Sequence, residues 1–133
     1  MPLNFEIVTP ERQVAEGAAD EIQIPGKNGY LGILPGHAPL LSELGVGEIV
    51  CRRGREARHL AVAWGFAEVL PDKVTILAET AERAEEIDVA RAERARDRAE
   101  KRLREAQEET DFERAQVALE RALIRIQVAG HGH

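Results

Sequence analysis

Short runs of β-branched and aliphatic residues, separated by turn-forming positions, fill the chain as far as Leu77: Phe5–Thr9, Asp20–Ile24, Leu31–Leu34, Glu48–Cys51, His59–Ala63, Phe66–Leu70 and Lys73–Leu77. Seven or more short strands at this spacing predict an antiparallel β-sandwich or barrel. From about Glu79 the period changes. Val89, Ala92, Ala99, Leu103 and Ala106 recur at helical steps behind Asp88, which is placed to cap a first helix. Gln107–Asp111 interrupts the pattern; Thr110 or Asp111 then caps a second helix carrying Phe112, Ala115, Leu119, Ala122 and Ile126, with Gly130 as its stop. The expected fold is β + α: an N-terminal antiparallel β-sandwich over residues 1–84, followed by a C-terminal antiparallel two-helix hairpin over 85–133.

Composition sharpens this boundary. All six prolines lie at or before Pro71 and no glycine falls between Gly65 and Gly130, whereas 11 of the 18 basic and 14 of the 24 acidic residues lie from Glu79 onward. Alanine interleaved with charge favours an exposed helix, and its seam is weak. Exchanging a buried leucine for alanine forfeits on the order of 2 kcal/mol, so an alanine seam predicts a hairpin near its threshold of stability. An ordinary helical appendage packed on the sandwich is the alternative reading.

A net charge of −6 with both signs abundant supplies no basic field for a nucleic-acid backbone. The single cysteine, Cys51, closes no internal disulfide and sits in a strand-like run, which reads as a small packing residue in a reducing compartment. The start of the chain resembles no leader, and no stretch approaches the ~20 apolar residues of a membrane span, so membrane association is expected only through a partner. His37, His59, His131 and His133 form no recognisable metal or nucleophile constellation, and His131 and His133 read as a disordered terminal pair with too few ligands for a metal.

Four ordered motifs of the head resemble the epsilon subunit family of F-type ATP synthases: Leu31-Gly-Ile-Leu-Pro-Gly-His-Ala-Pro-Leu40, Gly45-Val-Gly-Glu-Ile49, Gly65-Phe-Ala-Glu-Val69 and Asp72-Lys-Val-Thr-Ile-Leu-Ala78. Ala81–Asp88 and the two alanine-rich helices fall where that family has its linker and helical domain, so the resemblance spans essentially the whole chain. It implies a non-catalytic central-stalk subunit on the cytoplasmic face of a bacterial plasma membrane. Its sandwich would bind the gamma subunit and the c-ring, and its tail would extend toward the alpha and beta subunits to inhibit hydrolysis. By the same resemblance His37 lies toward gamma, and the turn bearing Asn28, Gly29 and Tyr30 meets the c-ring. Many relatives have an acidic residue where this chain has Tyr30, which changes the contact in kind while keeping a ring and a hydroxyl.

Some family members bind ATP in the folded tail through a motif resembling Ile-Asp-x-x-Arg-Ala, which Ile87-Asp-Val-Ala-Arg-Ala92 matches throughout. The resemblance assigns Ile87, Asp88, Arg91 and Ala92 to that site, together with Arg98, Arg121, Arg125 and the linker acid Glu82. Spacing supports the grouping. With a turn near Glu109 and Thr110, facing residues sum to about 219, which sets Arg98 opposite Arg121 and Arg94 opposite Arg125. Guanidinium groups meet phosphate oxygens in bidentate fashion, and the tail carries ten arginines and one lysine. For each arginine singly, a solvated salt-bridged face is the competing reading. There is no glycine-rich loop ending in Lys-Ser or Lys-Thr, so ATP is expected as a regulatory ligand and no catalytic cofactor is expected. The rival readings are a stand-alone nucleotide-sensing module and a plain protein- or carbohydrate-binding sandwich.

Overall fold

The computed structural model describes residues 1–132; His133 lies outside the described residues. Seven strands, β1 (Leu3–Val8), β2 (Gln13–Ala19), β3 (Glu21–Gly26), β4 (Gly29–Ile33), β5 (Leu40–Arg53), β6 (Glu56–Val69) and β7 (Lys73–Arg83), form one sheet in the order β2-β1-β7-β6-β5-β3-β4. Laid flat, its outer strands would stand on the order of 29 Å apart, six strand spacings. Yet Val14 of β2 and Ile33 of β4 belong to a single buried core with Phe5, Ile24, Ile49, Leu60 and Ile76. The sheet therefore folds over itself as a sandwich, and the 14-residue strands β5 and β6 are long enough to serve both layers.

The fold departs from the sequence expectation in four places. Val14 and Ala15 are buried within β2, a strand with too few large apolar residues to be recognised in the sequence. The two runs 59–63 and 66–70 are one strand, β6, bent at Trp64 and Gly65, which both have positive φ (55° and 122°). The β6–β7 pairing passes from Ala63↔Thr80 to Gly65↔Ala78 across that bend. Finally, β1 and β7 pair in parallel within an otherwise antiparallel sheet, with β1 lying between β7 and the edge strand β2. The fourth departure is in the tail.

The tail begins with a single turn of 3-10 helix, Ala84–Glu86, followed by α1 (Val89–Glu105) and α2 (Glu109–Gly132). Asp88 caps α1 as expected, its Oδ1 accepting from the backbone N–H of Arg91 at 3.1 Å. The second helix starts at Glu109, ahead of the proposed Thr110 or Asp111 cap, and runs through Gly130, where no stop occurs. Packing overrides the glycine signal: Val128 and Ala129 are fully buried on a cluster with Ala61, Ala84 and Ile87, which holds the last turns in place. His131 is therefore helical, contrary to the disorder expected of it. The hairpin seam itself is alanine, with Ala92 and Ala99 of α1 and Ala115 and Ala122 of α2 buried.

Candidate functional site

A cleft of about 500 Å³ opens where the tail lies on the head, within the range of small-molecule sites. Its floor is sheet, including Ala61 and Ala63 of β6 and Thr80 and Glu82 of β7. Arg91, Arg121 and Arg125 project from the helices, and Arg12 enters from the turn between β1 and β2. Glu82 holds Arg125 in a two-pronged pair, Nε to Oε1 at 2.7 Å and the second guanidinium nitrogen to Oε2 at 3.1 Å. The guanidinium of Arg121 lies 5.2 Å from the centre of the Trp64 ring. Arg91 makes no ion pair among the described residues, and the lining it shares includes the carboxylates of Glu11 and Glu79.

Of the residues singled out in the sequence, Glu82, Arg91, Arg121 and Arg125 come together here, while Arg98 is exposed on α1 and lines no part of the cleft. The reason lies in the turn. Because α1 ends at Glu105 and α2 begins at Glu109, facing positions sum to about 214 rather than about 219, which moves Arg98 away from Arg121. Ile87 is buried under Val128 and Ala129, Ala92 is fully buried in the hairpin seam, and Asp88 is committed to its cap. These three shape the support of the cleft. Sequence reasoning missed Arg12, Trp64 and the floor of β6, which reach the site only through sheet topology.

Beside the cleft, Arg12 and Arg83 converge on Glu86: the Arg12 guanidinium donates to Oε1 at 3.0 Å and Arg83 Nε to the same oxygen at 3.1 Å. The Arg12 hydrogen bond, followed by those of Arg83, holds the Glu86 carboxyl down from 4.5 to about 2. A depressed folded-state value stabilises the fold above pH 4.5, and the contribution disappears as pH falls toward about 2. Arg12→Ala is thus expected to lower the melting temperature more at pH 7 than at pH 2, a difference readable from thermal melts across that range.

The residues expected from the sequence to face partners lie elsewhere. Lys27 and Asn28 form a two-residue hairpin turn between the paired Gly26 and Gly29, with Gly29 at φ 134°. Tyr30 is half exposed, and its hydroxyl accepts from the backbone N–H of Glu48 at 3.0 Å. His37 closes a tight turn, its N–H donating to the Leu34 carbonyl at 3.1 Å with Gly36 at φ 86°. Phe66 and Leu77, directly opposite each other in the β6–β7 register, are both about half exposed. Cys51 is buried, and desolvation pushes its thiol up to about 12, in keeping with a packing role.

Comparison with known proteins gives a consistent picture. The family model described as the beta-sandwich domain of ATP synthase delta/epsilon chains matches residues 2–84, and that of the long alpha-helix domain matches 85–130. The chain is 52% identical over 127 residues to the ATP synthase epsilon chain of Syntrophobacter fumaroxidans, covering 96% of this chain and 95% of that one. It is 53% identical over 129 residues to that of Moorella thermoacetica, covering 96% of each. With the Koribacter versatilis epsilon chain it shares 69% identity over 99 residues, 74% of this chain and 70% of the relative. In fold it resembles a chain of the Euglena gracilis mitochondrial ATP synthase OSCP/F1/c-ring structure, with a TM-score of 0.80 at 21% identity, over 99% of this chain and 82% of that one. A chain of the Tetrahymena thermophila central stalk/c-ring structure gives 0.68 at 12% identity, over 97% of each.

Proposed function

This chain belongs to the ATP synthase delta/epsilon chain family, and from that premise we propose that it is a non-catalytic rotor subunit whose helical tail senses ATP. The observation that carries the sensing role is the cleft at the seam, where Arg91, Arg121 and Arg125 of the tail meet Glu82 of the head. A triphosphate entering there supplies several negative charges to guanidinium groups that come from both helices, so it fastens α1, α2 and the sheet together. Glu82 is the anion it competes with for Arg125, and the Trp64 ring offers an apolar surface beside Arg121.

The alanine seam makes this binding consequential. A ligand at 100 times its dissociation constant stabilises the state it occupies by about 2.7 kcal/mol, comparable with one buried leucine, which is enough to move a weak hairpin between closed and open forms. Without nucleotide the helices open along gamma toward the alpha and beta subunits and inhibit hydrolysis. The head stays engaged throughout: its exposed Phe66 and Leu77 suit an apolar partner surface such as gamma, and the Asn28-Gly29-Tyr30 turn suits the polar loops of a c-ring. Association with the cytoplasmic face of a bacterial membrane then runs through the complex; no helix among the described residues is long and apolar enough to cross one.

The site is tested by Arg121→Ala in the full chain. It is expected to weaken ATP binding by ~10–100-fold, the effect of losing one charge-assisted contact of about 1.5–3 kcal/mol, while Arg104→Ala, exposed on the same hairpin and outside the cleft, leaves it unchanged. Equal ATP affinity in both variants would remove the nucleotide from this cleft.

A further inference from the structure

Glu48 is the one buried charged residue among those described, and a buried carboxylate requires strong partners. Its partners are two imidazoles. His59 Nδ1 lies 2.9 Å and His131 Nδ1 2.5 Å from the same oxygen, Oε2. The two rings are 4.5 Å apart between centroids and tilted by 47°. Glu48 comes from β5, His59 from β6 and His131 from the last turn of α2, so the cluster joins the head to the far end of the tail. Its donor atoms all lie within 4.8 Å of one another.

We propose that Glu48, His59 and His131 form a binding site for a zinc-class divalent transition metal that clasps the end of the tail to the head. Two imidazoles and a carboxylate are a donor set that zinc-class ions take, with bonds of about 2.0–2.2 Å and donors therefore roughly 3.4 Å apart. The two Oε2–Nδ1 separations, 2.9 and 2.5 Å, are hydrogen-bonded ones that must widen by about 0.5–0.9 Å to admit an ion. Glu48 and His59 are fixed by the sheet, with side chains 8% and 18% exposed, and the hydroxyl of Tyr30 accepts from the backbone N–H of Glu48. The adjustable ligand is His131, whose side chain is 41% exposed on the terminal turn and whose rotation makes room for an ion between the donors. That exposure also leaves a side open for water as a fourth ligand.

The cluster is separate from the arginine cleft, and none of its residues lines it. The clasp therefore acts on the same closed tail by a second ligand of opposite charge: an ion bound only when α2 is docked stabilises the docked form by linkage. An imidazole pair sharing one carboxylate also holds together by hydrogen bonds alone, and metal titration separates the two.

The experiment is titration of the full, metal-stripped chain with Zn²⁺ by calorimetry and with Co²⁺ by visible absorption. One equivalent is expected to bind, with intense d–d absorption for Co²⁺ in a four-coordinate site. Loss of a direct ligand exceeds the 10–100-fold cost typical of losing a ligand's supporting partner, so His131→Ala and His59→Gln are each expected to weaken Zn²⁺ by ~100-fold or more. His131→Ala removes only a partly exposed side chain, which keeps the head intact should His59→Gln perturb it. His133→Ala and His37→Ala are expected to retain full binding. Unchanged affinity in His131→Ala, loss of binding in His133→Ala, or a Co²⁺ spectrum like that of the aqueous ion would overturn the proposal.

Discussion

A chain carrying Gly65→Ala is expected to melt ~15 °C or more below the parent. A Cβ at this position would stand 2.0 Å from the Leu77 carbonyl oxygen and 2.8 Å from the Ala78 Cα, and both are backbone atoms of the neighbouring strand that have nowhere to go. The φ of 122° adds a conformation that L-residues rarely adopt. Backbone strain and overpacking together put the cost at about 3 kcal/mol or more, and for a head of this size each kcal/mol is worth roughly 4–8 °C. Gly32→Ala is the matched control, since nothing lies within 4 Å of a Cβ there. Thermal melts by circular dichroism compare the two; equal melting temperatures would mean that the bend in β6 yields easily. The bend also places Trp64, whose ring lies 5.2 Å from the Arg121 guanidinium of the tail.

The second large effect concerns the tail alone. Val128 is fully buried in the small cluster that docks α2, with Ala61, Ala84, Ile87 and Ala129 around it. Val128→Asp places a carboxylate there without a partner, at a cost of several kcal/mol if the helix stays docked. Release of the tail avoids that cost, since the main core of the head contains none of these residues. The variant is expected to keep the head's thermal transition while its arginine-rich tail becomes at least ~10-fold more sensitive to trypsin, the change produced by about 1.4 kcal/mol in the opening equilibrium. Tail protection equal to that of the parent would show that docking does not depend on this cluster.

How far the sequence reached is clearest at the tail. Periodicity located both helices and the Asp88 cap, because capping and amphipathic spacing are local. It misplaced the hairpin turn by two or three residues, since Thr110 and Asp111 are good caps in isolation whereas the buried alanines decide the register. That shift is why Arg98 leaves the group that contains Arg121 and Arg125. In the head, Gly65 looked like a break between strands and is instead a bend within one, which only the continuous β6–β7 register reveals. Arg12, Trp64, Glu48 and His59 are placed by sheet topology and His131 by the docking of α2, 83 positions from Glu48, and no local pattern announces them.

Calorimetric titration of the full chain with ATP shows whether the closed tail holds nucleotide against the head. Saturable binding of one ATP is expected, tighter than ADP, and weakened in Arg121→Ala and in the undocked Val128→Asp chain. Absence of binding heat, or ATP affinity indifferent to both substitutions, would rule out a nucleotide at this seam and leave its arginines as partners for the tail's own carboxylates.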